Sequence, residues 1–388
     1  VCPACGFDTS APQSPVALPL RTVLKQQYVV GRVLGKPGGF GITYLGWDLQ
    51  LETTVAVKEY LPRELAGRAT NHTTVRPHSD KDADNFAFGL RQFVDEARTL
   101  ARFDHLNVVR CRTFLEANGT AYLVMDYYEG MSLAEYLAGQ GGTLPGKLAI
   151  DIMMPVMDGL REVHSKGFLH RDIKPQNIYI TDSGRAILLD FGAARQAMGE
   201  RSRSLSAVLT PGYAPYEQYH RSGKQGPCTD IYGCAAVLFH MVTGAAPSDA
   251  AERMAEDDLD VSALRAAVSP AVADTLVAAL AIRAQDRTQS VEAFQKQLIA
   301  ERPDAVSEKT PAQQAPRPEP WKVETEKPVK GTTQSSVKNA LGIIAIFIII
   351  FISAALLTDL GVIGRKSVSY MTGIKELIGR NATEQTER

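Results

Sequence analysis

Two polar motifs, His170-Arg-Asp-Ile-Lys-Pro-Gln-Asn177 and Asp190-Phe-Gly192, are separated by two short apolar runs, Ile178-Tyr-Ile180 and Ala186-Ile-Leu-Leu189. This order constrains the chain more than any other feature. The runs read as paired strands, and pairing them sets the two polar segments side by side. Asp172 can take a proton from a hydroxyl, and Lys174 can meet a phosphate. Asn177 and Asp190 offer hard oxygen ligands suited to Mg2+. A lone Asp or Asn reads as a turn residue; both motifs together at this spacing do not.

The rest of the chain arranges itself around that pair. Residues 1–20 end in Ala, Pro, Gln and Ser and read as a tether. β-type runs follow at Tyr28–Leu34, Ile42–Asp48 and Thr53–Tyr60, then a polar, turn-rich stretch at Pro62–Asp84. A helix is predicted near Asp84–Phe103, because Phe93, Ala97, Leu100 and Ala101 recur at helical spacing. Strands fit Val109–Glu116 and Ala121–Tyr127, and helical patterns dominate from there to about Ala300. Roughly the first hundred core residues are sheet-rich and the next stretch is helix-rich, which predicts an α+β fold with two lobes.

Beyond the core, residues 301–338 carry six prolines among Glu, Lys, Gln and Thr. Such a composition buries no core and reads as an extended linker. Residues 340–357 then hold no charged side chain. As a helix they would span roughly 27 Å, close to the hydrocarbon thickness of a bilayer, so a single transmembrane helix is expected. A domain that works on phosphate with the residues above would face the cytoplasm, which puts 358–388 outside as a short extracytoplasmic tail. That predicts a single-pass protein of the inner or cell membrane, with homodimerisation through the membrane helix or partner binding through the tail.

Formal net charge is −1, from 42 basic and 43 acidic residues. A nucleic-acid binder would ordinarily show a basic excess, so none is expected. Of the five cysteines, Cys111, Cys228 and Cys234 lie in apolar runs and read as buried thiols. Cys2-Pro-Ala-Cys-Gly6 has the shape of half a zinc knuckle. A structural Zn2+ site needs four ligands, so Cys2 and Cys5 are read either as a half-site completed by another chain or as a remnant.

The motifs resemble those of the eukaryotic-like Ser/Thr protein kinases of bacteria, over about residues 28–300. The resemblance implies a two-lobed kinase fold, with a small β-rich N-lobe and a larger helical C-lobe, and transfer of phosphate from ATP to protein Ser or Thr with Mg2+ or Mn2+. Val55-Ala-Val-Lys58 looks like the third-strand motif, so Lys58 would meet the α- and β-phosphates and Ala56 would line the adenine site. Lys58 then needs a carboxylate. Glu96 shares the apolar helix face of Phe93 and Leu100, whereas Asp95 aligns with Thr99 toward water. Gly35, Gly38, Gly39 and Gly41 correspond to a phosphate-cradling loop, with one extra residue assigned to Pro37 and with Thr43 where the family usually has Val. Met125 and Tyr127 fall at the inter-lobe hinge beside the adenine.

The resemblance also implies an activation segment between Asp190 and Glu217. Ser202, Ser204, Ser206 and Thr210 are candidate autophosphorylation sites there that would order the segment and raise activity, with Arg171 a candidate phosphate partner. Thr210 would sit near Asp172 and Lys174, Glu217 would pair with Arg287, and Asp230 would brace the catalytic loop. The stretch Glu59–Asn85 is longer than usual and is read as a surface loop. The alternative function is a pseudokinase scaffold or nucleotide-sensing module, suggested by the altered glycine loop and opposed by the presence of Lys58, Glu96, Asp172, Asn177 and Asp190 together.

Overall fold

The computed structural model describes residues 14–35, 38–191, 209–220 and 222–300. These belong to the first of two compact units, Val1–Pro318. Cys2, Cys5, Pro37, Ser202, Ser204, Ser206, the linker, the apolar run 340–357 and the tail lie outside the described residues. Among the described residues, no helix is long and apolar enough to cross a membrane.

The N-lobe is built on an antiparallel sheet of β1 (Val23–Leu24), β2 (Tyr28–Val33), β3 (Gly41–Asp48), β4 (Thr53–Tyr60), β7 (Cys111–Ala117) and β8 (Thr120–Asp126), in the order β1-β2-β3-β4-β8-β7. Its strands are rich in β-branched and aromatic residues, which suit a pleated surface packed on both sides. Asn118 and Gly119 both have positive φ (54° and 73°), as a two-residue hairpin turn matched to strand twist requires. Strand alternation divides β4 cleanly. Ala56, Lys58 and Tyr60 face one way, and Tyr60 packs on Phe86 and Phe93 of α1 (Asp80–Leu100). Val55, Val57 and Glu59 face the other way, and all three are fully buried.

That second face is covered by segments the sequence reading treated as peripheral. The stretch after β4 forms a hairpin of β5 (Ala66–Arg68) and β6 (Val75–Pro77) rather than a surface loop. Arg68 inserts beneath it and binds Glu59 through both terminal nitrogens. Tyr44 and Tyr122 donate their hydroxyls to the same carboxylate, at 2.8 and 3.0 Å. Burying Glu59 is tolerable because each of its oxygens is paired and hydrogen-bonded. Residues 14–20 are not a free tether either. Ala17 and Leu18 are buried, Leu18 N donates to the Tyr44 hydroxyl at 3.0 Å, and Arg68 Nε donates to Val16 O at 3.0 Å. Helix α1 starts four residues earlier than the apolar spacing predicts, because the Ser79 hydroxyl accepts from Asp82 N and caps it.

The C-lobe packs α2 (Leu133–Gly139), α3 (Gly146–Ser165), α4 (Pro227–Thr243), α5 (Ala250–Arg253), α6 (Val261–Ala267), α7 (Pro270–Ala279) and α8 (Val291–Ile299) around a second core. Helix α4 is buried nearly all round and forms its centre. A small sheet, β11 (Ala186–Leu188)–β10 (Ile178–Thr181)–β9 (Gly130–Ser132), lies at the boundary between lobes. Ile187, Phe191 and Val163 belong to the N-lobe core, so the lobes share buried apolar contact.

Candidate active site

The β10–β11 hairpin sets the two polar motifs beside one another. Ile178 pairs with Leu188, and Leu189 N donates to Asn177 O at 2.8 Å, so the ends of both motifs are hydrogen-bonded together. Asn107 ties this hairpin to the region after α1, donating Nδ2 to Ala186 O and accepting Leu188 N.

The catalytic loop is held in a conformation it would not adopt alone. Arg171 has φ 68° and Asp190 has φ 47°, each in the left-handed region that costs a non-glycine residue about 1–3 kcal/mol. Asp230 offsets the first, accepting His170 N at 2.8 Å and Arg171 N at 2.7 Å. Gln218 accounts for the other end of Arg171, donating Nε2 to its carbonyl at 2.8 Å. His164 Nε2 lies 2.7 Å from Asp230 and locks its carboxylate in place. Burial opposes ionisation of Asp230, but the His164 hydrogen bond and charge and the Arg171 amide outweigh it and hold its pKa below the usual carboxylate value.

His170 is fully buried, with Phe191 against its ring at 4.6 Å. Its Nε2 contacts Leu189 O at 2.7 Å and must donate; its Nδ1 faces Asp172 N at 3.3 Å and must accept. The ring is therefore a neutral imidazole bridging both motifs. Burial is the dominant cause of its lowered pKa, exceeding the opposite pull of Asp230 and the Leu189 carbonyl.

Around this frame the reactive side chains converge. Lys174 Nζ contacts Asp172 at 3.0 and 2.8 Å and Thr210 Oγ1 at 3.1 Å. Thr210 Oγ1 lies 3.3 Å from Asp172 Oδ1, and Asn177 Nδ2 donates to Asp172 Oδ2 at 2.9 Å and to its carbonyl at 2.7 Å. Lys58 Nζ reaches Asp190 Oδ1 at 2.8 Å. Burial would lower the Lys58 pKa, but Asp190, then Glu96, then Asp172 more than offset it, so the ammonium is held above its ordinary value. Glu96 is buried on α1, while Asp95 is exposed and paired with Arg98. Ala56 and Met125 are register partners on β4 and β8, both buried, and Tyr127 follows β8 half-buried.

The donor set fits a hard divalent cation. Asn177 uses its amide nitrogen on Asp172, which leaves its oxygen as acceptor, and Asp190 engages Lys58 through one oxygen and keeps a second. The glycine loop departs from the expected cradle. Gly38 N is committed to Gly41 O at 3.0 Å, and Gly39 O and Phe40 O accept amides from Arg63 and Leu61. Away from the site, Glu217 and Arg287 form a buried two-pronged pair at 2.7 and 2.9 Å. Cys111, Cys228 and Cys234 are free thiols, with burial pushing Cys111 to about 11.

Sequence reasoning missed His164, Gln218 and the Glu59–Arg68 pair. Gln218 and Arg171 are 47 residues apart, and nothing in local spacing signals their contact.

Comparison with known proteins places this geometry. Residues 28–305 match the family described as protein kinase domain. The serine/threonine-protein kinase pkn2 of Myxococcus xanthus is 33% identical over 234 residues, covering 58% of this chain and 25% of that protein. PrkC of Bacillus subtilis is 31% identical over 223 residues, covering 58% and 31%. The chain thus spans about a quarter to a third of the length of these two relatives. Among solved structures, the apo form of PpkA-294 aligns with TM-score 0.67 and 36% identity, covering 73% of this chain and 99% of that one. The chain belongs to the protein kinase family.

Proposed function

We propose that the chain transfers the γ-phosphoryl group of ATP to Ser or Thr hydroxyls of protein substrates. The observation that carries this reading is the Asp172 carboxylate, contacted by Lys174, Asn177 and Thr210 in a family whose relatives are named serine/threonine-protein kinases. Phosphoryl transfer asks a protein for positioning, charge neutralisation and a proton acceptor. Asp172 takes the proton of the substrate hydroxyl as that oxygen bonds to the γ-phosphorus and the bond to ADP breaks. Lys174 neutralises charge on the transferring group. Lys58, kept protonated by Asp190 and Glu96, holds the α- and β-phosphates. Asn177 and Asp190 would hold Mg2+ or Mn2+, which would neutralise charge on the phosphate oxygens. Ala56 and Met125 line the adenine side, and the backbone near Tyr127 offers its hydrogen bonds.

The test is incubation of the full chain with γ-labelled ATP, Mg2+ and an acceptor protein, beside Asp172→Asn. Label transfer is expected to fall about 10²–10⁴-fold in the variant while ATP still binds. Equal transfer by both would remove the base role; ATP binding without transfer by either would favour a scaffold. The reading includes autophosphorylation of the segment holding Ser202, Ser204, Ser206 and Thr210, supported by the Arg171 Nε, which is buried with no hydrogen-bond partner among the described residues. Mass spectrometry of active protein with no phosphate in residues 195–212 would exclude it. It also includes a membrane anchor at 340–357 with the kinase domain cytoplasmic, supported by the uncharged apolar composition of that run. Membrane fractionation of the full chain against residues 1–339 tests it, and equal solubility would exclude it.

A further inference from the structure

The stretch that follows Lys58 grips the glycine loop. Strands β3 and β4 are in register up to Gly41 opposite Tyr60, and the pairing then continues beyond both strands. Leu61 N donates to Phe40 O at 3.1 Å, and Arg63 N donates to Gly39 O at 3.0 Å. A Cβ at Gly41 would lie 2.3 Å from Glu59 O, so this leg of the loop presses on β4 more closely than any side chain permits. Two successive glycine-loop carbonyls are therefore held by one segment.

That segment is itself anchored. Leu61 and Pro62 are buried, and Leu65 N and Ala66 N both bond Pro62 O. His78 reaches back to Arg63 O with Nε2 at 3.0 Å and to Leu65 O with its amide. Val75 N donates to Asn118 O, fastening the β5–β6 hairpin to the β7–β8 turn. Beneath it lies Glu59, adjacent to Lys58 but on the opposite face of β4, bound to Arg68, Tyr44 and Tyr122. Val16 and Leu18 of the N-terminal segment bond the same Arg68 and Tyr44.

We propose that residues 61–79 are a clamp that positions the glycine loop over the nucleotide, with the Leu61 and Arg63 amides as its grip and the Glu59–Arg68 pair as its anchor. This rests on the phosphotransfer reading for the nucleotide, not for the clamp. A glycine-rich loop has many conformations to lose when it closes on phosphates. Fixing Gly39 and Phe40 beforehand removes part of that loss, which appears as tighter ATP binding.

The test uses two variants of the full chain. Arg63→Pro deletes the amide that holds Gly39, and Arg63→Ala changes the exposed side chain but keeps that amide. Leu65 N bonds Pro62 O, which places residue 63 at the second position of a turn, so proline suits the backbone there, while its ring carbon takes the place of the amide hydrogen and also pushes Gly39 O away. Relative to Arg63→Ala, Arg63→Pro should weaken ATP binding at least about three- to tenfold, the worth of the lost hydrogen bond before the displacement of Gly39 is added, with kcat nearly unchanged. Without nucleotide, amide exchange across residues 38–41 and at Leu61 should be faster in Arg63→Pro. Equal exchange and equal affinity in the two variants would overturn the clamp. A chain that binds ATP with this difference but transfers nothing would overturn the phosphotransfer reading alone, and one that binds no ATP would overturn both that reading and the clamp's role toward nucleotide.

Discussion

Lys58 Nζ and Asp190 Oδ1 lie 2.8 Å apart, although one belongs to the central strand of the N-lobe sheet and the other follows the β10–β11 hairpin. This ion pair crosses the boundary between lobes and joins the residue read as a phosphate ligand to one read as a metal ligand. Both side chains are partly accessible (20% and 38%), so the pair contributes little to stability and its significance is positional.

Lys58→Met should therefore leave the fold intact and remove activity. The expected loss is about 10²–10³-fold in kcat/KM, the magnitude for deleting one pre-organised charge facing a developing charge. Steady-state kinetics with a purified acceptor protein, beside a thermal melt, reads both quantities. A loss under threefold would mean that the lysine does not serve the transferring phosphates.

Arg287→Ala should be costly in stability. Its guanidinium is fully buried, pairs with Glu217 through two bonds, and donates to the Ala281 and Ile282 carbonyls. Removing it strands a buried carboxylate and leaves those carbonyls unpaired. The expected loss is about 3–5 kcal/mol, measurable by urea unfolding. A loss below about 1 kcal/mol would contradict a desolvated pair.

Acid should weaken the fold beginning near the ordinary histidine range. His170 has a lowered pKa because it is buried, so below about pH 6.5 the unfolded chain binds a proton that the native chain resists. Stability from this group is complete above the unfolded pKa of about 6.5 and declines as pH falls through the lower folded value. Asp230, also lowered, adds a second loss starting near the unfolded carboxylate value of about 4. Protonating His170 also breaks its Nδ1 contact with the Asp172 amide, so activity should fall with stability. An NMR titration of the ring checks this, and a midpoint at or above 6.5 would contradict it.

Much of the site was legible because its chemistry is written in short range. Asp172, Lys174 and Asn177 sit on one loop, and helical period alone separates Glu96 from Asp95, whose side chains are buried and exposed respectively. The strands of the N-lobe sheet other than the two-residue edge strand β1 were readable to within a few residues because alternation is a local signal. Helix α1 was placed four residues late because its start is a Ser79 cap in a polar stretch, where apolar spacing carries no information.

Composition alone made 59–79 and 14–20 look peripheral, since both are polar or proline-bearing. Their burial depends on which face of β4 carries Glu59 and on what can reach it. Arg68, Tyr44, Tyr122 and Val16 come from four separate stretches of chain. The same holds for Gln218 on Arg171 and His164 on Asp230. The amino-acid sequence by itself determined which polar groups are offered to the proposed chemistry and the two-lobed order that carries them. Only the tertiary structure decided what holds those groups still, because a buried charge or a strained backbone is tolerated only where distant residues supply its hydrogen bonds.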